Sequence, residues 1–400
     1  MIRRLHLVPL IALGVGVLAW GGVQASGRAG VGGLPELGAA PYRERPQRDT
    51  QIAVWNTALR ADSTSALVLG MLSAPHLQRA REGGGWSDYR TAETLARRSL
   101  AHREHRNGAT AATLVAVLAA QHRFQEAEVI AAGLVAREPD VLEYRAILGE
   151  VAMERGDYDV AEREFAAVWP IRRSLSVAPR LARWHELRGE ESAARRILER
   201  AREDAWERRD LTSEVKAWFA LRLGEFERRA AHPTRAESAF RLGLEQEPND
   251  PRLLVAMARL AADRRDPDAV IRWSERALGV QLDPEVVLLL ADAYGALGDA
   301  DQARRLRSAF DVAVSSVEGP FHRAWSLALL DRGEQVALVL ARAEAELRER
   351  NDIYAYDLVA WALFKAGRRA EAVPMMRQAL RLGTHDPLLE RHRAEILADG

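Results

Sequence analysis

A small side chain returns about every 34 residues along most of this chain, and that spacing restricts its fold more than any other feature. Ala92, Ala127, Ala161, Ala194, Ala236, Ala303 and Ala372 form the series, with Val270 and Leu338 in the two remaining places. The successive steps are 35, 34, 33, 42, 34, 33, 35 and 34 residues, so one interval carries an insertion of eight. From Asp49 onward apolar residues also recur at i, i+3, i+4 and i+7, and no strand alternation interrupts them. A period of this length built only of helix means stacked helix hairpins. Where two antiparallel helices cross tightly only a small side chain fits, and alanine carries no helix penalty there. The expected fold is therefore all-α, an α-solenoid of stacked antiparallel hairpins with about eight to nine units and terminal cap helices, spanning residues 49–400. Val270 and Leu338 break the small-residue rule, so their units are expected to sit in a different register or to be more widely spaced.

The punctuation agrees with this division. Gly156, Gly298 and Gly367 stand where first helices should stop, and a glycine accepts the left-handed backbone that such an ending requires. Pro233 and Pro267 fall where second helices should begin, in the first turn, where a missing N–H costs nothing. Pro374 lies inside the last second helix and is expected to kink it. The inserted residues, between Ala201 and Trp218, lengthen a helix or loop between the fourth and fifth units. At the ends, 49–60 reads as a lone second helix with Ile52, Trp55 and Leu59 on one stripe. Residues 388–397 read as a terminal cap with Leu388, Leu389, His392 and Ile396 on one face.

Several units carry a more specific signature. Leu148-Gly149, Gly156, Tyr158, Ala161 and Phe165 form one; Leu223-Gly224, Ala236, Phe240, Gly243-Leu244 and Pro248 form another; Leu290-Ala291, Tyr294, Gly298 and Ala303 form a third. Phe124, Ala127 and Pro139 mark an early unit, and Gly367, Ala372 and Ala379-Leu380 the last. On these residues the chain, from about Ser63 to Leu380, resembles the tetratricopeptide repeat family and looks like an exported bacterial-type member of it. The resemblance implies a right-handed solenoid whose concave groove, lined by the first helices, holds peptides or partner helices. The clamp of groove lysines, arginines and asparagines by which chaperone-binding members hold a C-terminal carboxylate has no match, since the only lysines are Lys216 and Lys365.

Composition removes most catalytic classes. The absence of cysteine excludes a thiol nucleophile, a Cys-ligated zinc site and disulfides. Neither lysine follows a glycine, which excludes the phosphate-cradling GxxxxGK[ST] loop, and no GxSxG elbow or HExxH pair occurs. His102 and His105 are spaced i, i+3, but no third ligand accompanies them. The expectation is a protein without catalytic residues, metal or cofactor. Lys plus Arg and Asp plus Glu are both 57, a formal balance of zero that argues against a dedicated nucleic-acid binder.

Residues 1–25 read as a signal peptide: Arg3 and Arg4, an apolar run from about Leu7 to Val23, and Val23-Gln24-Ala25 before Ser26. Export to a periplasmic or extracellular location follows, with membrane attachment only if that leader is retained. Residues 26–48, rich in Gly, Ala and Pro, read as a flexible linker.

What remains is binding. Groove positions in this register include Glu150, Arg183, Glu186, Trp218, Glu225, Arg259 and Asp292, mixed charges with no preferred sign of ligand. In the last unit Tyr354, Asp357, Trp361 and Phe364 occupy a second helix face beside the core stripe, with Lys365 one turn on. The expected partner-binding residues are thus Tyr354, Asp357, Trp361 and Lys365, together with Trp218, Glu225 and Arg183. The leading reading is a non-catalytic scaffold for a protein or peptide. The alternative is a receptor-like solenoid for a small ligand or glycan serving envelope transport or polysaccharide export.

Overall fold

The computed structural model describes residues 45–81, 86–315 and 323–398. The leader at 1–25 and most of the linker at 26–48 lie outside the described residues, although the first helix, α1 (Arg45–Ala61), begins four residues inside the stretch read as linker.

Nine hairpins follow α1 among the described residues. Their first helices are α2 (Ala66–Arg79), α4 (Gly108–Ala120), α6 (Leu142–Arg155), α8 (Ala178–Leu187), α10 (Ser213–Arg229), α12 (Pro251–Asp263), α14 (Pro284–Ala296), α16 (Arg323–Asp331) and α18 (Ile353–Lys365). Their second helices are α3 (Trp86–His102), α5 (Phe124–Arg137), α7 (Tyr158–Ala167), α9 (Glu191–Glu207), α11 (Pro233–Gln246), α13 (Pro267–Val280), α15 (Ala300–Ser315), α17 (Val336–Glu346) and α19 (Arg369–Ala379). The cap helix α20 (Pro387–Leu397) closes the array, burying Leu389, His392 and Ile396. The architecture is an all-helical α-solenoid.

Each member of the 34-residue series lies in a second helix. Ala92, Ala127, Ala161, Ala194, Ala236 and Ala372 have no exposed surface, and Ala303 has almost none. Val270 is buried in the same role. Leu338 is the exception, 45% exposed, because α17 is turned by one residue and presents Val339, Leu340 and Ala343 to the core. The insertion is taken up by α9 and α10, both 17 residues long. Several helices start on an Asp-Pro step: Asp250, Asp266, Asp283 and Asp386 cap α12, α13, α14 and α20 with the side chain, and the proline takes the first position. Pro374 lies within α19, which continues through it.

The array also closes on itself. The ninth hairpin and the loops around it dock on the third and fourth, some 195 residues earlier in the chain. The Asn351 N–H donates to the Arg155 carbonyl at 2.8 Å, the Ile353 N–H to the Tyr158 hydroxyl at 2.9 Å, and the Thr384 hydroxyl to the Leu187 carbonyl. Two glycines make the approach possible. Gly156 has φ 85°, and a Cβ there would lie 2.5 Å from the Asn351 carbonyl oxygen; Gly189 has φ 70°, and its Cβ would lie 2.7 Å from that of Gly383. Behind these bonds one buried cluster runs from Phe165 and Trp184 to Leu358 and Trp361. Among the described residues no helix is long and apolar enough to cross a membrane.

Candidate binding cavity

Closure converts the concave face into an interior. The first helices line a cavity of about 1730 Å³, to which α1 and α20 also contribute. Among the described residues, fourteen arginines and eight carboxylates face it, and no lysine. The formal balance of the chain is zero, yet the fold concentrates cations inside. This corrects the expectation of a groove without preferred sign, and it removes the argument against nucleic acid that rested on net charge.

The wall of α8, α10, α12 and α14 carries the densest part. Arg183 Nη1 lies 2.9 Å from Glu186 Oε2; Arg229 grips both oxygens of Glu186, at 2.6 and 3.2 Å; Arg259 grips both oxygens of Glu285, at 2.5 and 2.6 Å. Glu225 bridges them, with Arg259 at 3.4 Å on one oxygen, and Arg229 at 3.4 Å and Arg228 at 3.5 Å on the other. Cation and anion alternate along this ladder. Burial alone would raise the Glu186 and Glu225 carboxyls, but the surrounding arginines overcome it and hold each at about 2. Burial likewise opposes the charge on Arg183 and Arg259, and the glutamates override it.

Arg222 stands on the same inner stripe of α10, four residues from Trp218 and three from Glu225. Its guanidinium lies 6.0 Å from the Trp218 ring centroid and has no carboxylate partner among the described residues. Burial and the nearby Arg229 and Arg183 lower its proton affinity to a pKa of about 10. The Tyr354 ring lies beside this wall, its centroid 5.1 Å from the Arg183 guanidinium and 4.9 Å from that of Arg323, and burial pushes its hydroxyl up to about 12.

The expected site residues therefore separate. Arg183, Trp218, Glu225 and Tyr354 line the cavity, as does Arg259. Asp357 and Trp361 do not: Asp357 is wholly buried and Trp361 is 1% exposed. Helix α20 returns over that face of α18, so His392 bonds Asp357 at 2.6 Å and stacks on the Trp361 indole at 4.1 Å, while Arg323 pairs with the second Asp357 oxygen. The Trp361 indole N–H donates to Asp331 at 2.8 Å. Lys365 is half-buried, its ammonium 4.6 Å from the same indole, outside the cavity. Asp357 and Trp361 are thus packed inside the last unit, beneath α20. Asp292 is exposed and pairs with Arg307 at 3.4 Å, and Glu150 pairs behind the wall with Arg180 at 2.8 Å. His102 and His105 are both exposed. The residues not singled out in advance are Arg222, Arg229 and Glu285. The first two continue the Trp218–Glu225 stripe at helical spacing, which is the signal that would have found them.

No family model matches the sequence, and no curated protein does. Solved structures match its fold. Human IFIT1, solved as a dimer with PPP-AAAA, gives a TM-score of 0.52 at 12% identity, over 85% of this chain and 79% of that one. A monomeric IFIT1 mutant with m7Gppp-AAAA gives 0.53 at 12% identity, over 84% and 76%. A structure from work on Pseudomonas aeruginosa pilF covers 51% of this chain and 90% of that one, at 17% identity and a TM-score of 0.41. At such identities the likeness establishes the fold alone, a tetratricopeptide-type solenoid.

Proposed function

We propose that this protein is an exported, non-catalytic binding protein that holds an extended acidic segment of a partner protein inside the cavity of its solenoid. The observation that carries the reading is the arginine excess on the inward faces of the first helices. Most of these arginines pair with carboxylates, but Arg81, Arg103, Arg106 and Arg222 have none among the described residues; unpaired like charges in one cavity gain nothing for folding, and an anionic ligand makes that arrangement useful.

Size and lining support a polypeptide over a small molecule or glycan. A volume of about 1730 Å³ exceeds the ~300–1,000 Å³ of ordinary small-molecule sites. Three of the aromatics in the lining already carry guanidinium groups, Trp218 under Arg222, Tyr354 under Arg183 and Arg323, and Phe124 under Arg350. The charge pattern supports a peptide over RNA, although IFIT1 of the same fold was solved with capped and triphosphate-bearing oligonucleotides. A nucleic-acid backbone needs a run of uncompensated cations. Here most arginines are neutralised within the wall, and those without a carboxylate among the described residues are dispersed: Arg81 after α2, Arg103 and Arg106 beyond α3, and Arg222 in α10. Apolar residues such as Val215, Leu221, Val255 and Leu289 line the same cavity, as suits a segment with both acidic and apolar side chains.

The test is crosslinking of the protein in its native envelope, with the captured chains identified and their acidic segments synthesised. Binding of such a peptide with micromolar or better affinity, competed by salt, supports the reading. Capture of RNA, or of no chain with an acidic segment, refutes it. N-terminal sequencing of the exported protein tests the leader separately, with Ser26 the expected first residue.

A further inference from the structure

The ion-pair ladder in the cavity wall is complete without Arg222. Both oxygens of Glu186 are taken by Arg229 and Arg183, and both oxygens of Glu225 by Arg259, Arg229 and Arg228. These are the two carboxylates whose charge acts on Arg222, and both are engaged by other arginines and not by it. The Arg222 guanidinium therefore stands at the cavity surface beside Trp218 with its donors unclaimed by any carboxylate among the described residues. It also faces two like charges, Arg183 and Arg229, that raise the cost of keeping it ionised. A cation placed this way lowers the stability of the empty protein and gains its compensation when an anion arrives.

We propose that Arg222 is the anchor of the cavity, binding one carboxylate of the ligand segment through its guanidinium fork while the Trp218 ring supports the guanidinium from below. The inference rests on the reading of the cavity as a site for an acidic segment and assigns its central contact. An incoming carboxylate extends the alternation of charges already present along Arg183, Glu186, Arg229 and Glu225.

The experiment compares the full chain with Arg222→Gln and with Arg304→Gln, a control in an exposed pair on α15. Two probes are used: fluorescein-labelled hexaglutamate, followed by anisotropy, and free sodium glutamate, followed by its effect on the melting temperature against equal sodium chloride. The expected result is that Arg222→Gln weakens hexaglutamate binding by ~10-fold or more, the effect of one charged hydrogen-bonded contact. It should also abolish the glutamate-dependent rise in melting temperature and leave the melting temperature without ligand unchanged or higher. Arg304→Gln should match the parent in every respect. If the parent and Arg222→Gln bind hexaglutamate equally, the anchor is overturned and the acidic-segment reading stands. If the parent fails to bind hexaglutamate but shows a glutamate stabilisation that depends on Arg222, the segment reading fails and the anion site stands. A fall of several degrees in the melting temperature of Arg222→Gln, with ligand responses intact, shows Arg222 to be structural and overturns the proposal.

Discussion

Replacing Trp361 by alanine distinguishes a core indole from a docking one. The side chain is 1% exposed, and an indole removes ~150–250 Å² from water; at ~25 cal/mol per Å² that is an upper figure of ~4–6 kcal/mol. The stack on His392 at 4.1 Å and the hydrogen bond to Asp331 at 2.8 Å are lost as well. Asp331 keeps Arg391 at 2.9 Å and so is not stranded. Large-to-small substitutions at such sites cost ~3–5 kcal/mol, and ~4 kcal/mol is expected here. In a repeat array the damage would ordinarily stay in the terminal unit. In this protein the same unit is bonded to α6–α8 through Asn351, Ile353 and Thr384. Hydrogen exchange is therefore the assay: amides of α18–α20 should lose close to a thousandfold in protection, the equivalent of ~4 kcal/mol, and amides of α6–α8 at the seam should lose protection with them. A cost below ~1 kcal/mol, with α18 protection unchanged, would refute the burial of the indole and return Trp361 to the surface.

Three further outcomes follow from the packing and the buried charges. Burial pushes the Glu154 carboxyl up, and although Arg350, 3.3 Å away, pulls it down, Asp352 adds to burial and leaves it at about 7. A carboxyl raised in the folded state from its ordinary 4.5 stabilises fully below that value and loses its contribution as pH rises through about 7. Denaturant titrations should thus show stability declining by up to ~3 kcal/mol over that window, with the decline absent in Glu154→Gln. Leucine at Ala161 or Ala236 should overpack the hairpin crossings and cost ~1–3 kcal/mol, whereas Val129→Ala, at a residue 73% exposed, should stay within ~0.5 kcal/mol; equal effects in thermal unfolding would undo the register. Arg229→Gln removes the two-point grip on buried Glu186 and should cost ~3 kcal/mol by chemical denaturation; a neutral result would show the ladder to be ornamental to stability.

The period of small residues made the hairpins legible because it reports local geometry: Ala161 and Ala236 are crossings whatever the rest of the chain does. Inward positions on α8, α10 and α12 were legible for the same reason, and Arg183, Trp218, Glu225 and Arg259 all line the cavity. The seam was not, because closure depends on small rotations summed over successive units, and no residue spacing encodes that sum. Gly156 reads as a turn glycine, and that it and Gly189 admit another backbone depends on a loop about 195 residues later. The face of Trp361 misled because helical periodicity tells which residues share a side and not what covers that side. Leu338 misled by one residue for a related reason, since Val339 fills the crossing as well and no alanine fixed the choice.

Closure of the solenoid is the claim on which the cavity, the seam and the proposed function all depend. The chain has no cysteine, so a pair introduced at Glu191 and His385, whose side chains meet across the seam at 3.3 Å, reports on nothing else. With a short bismaleimide the Glu191→Cys, His385→Cys protein should form an intramolecular crosslink in high yield at any protein concentration, and a pair at Glu191 and Arg304 should form none. A Glu191–His385 pair that stays unlinked, or links only between chains, would contradict closure.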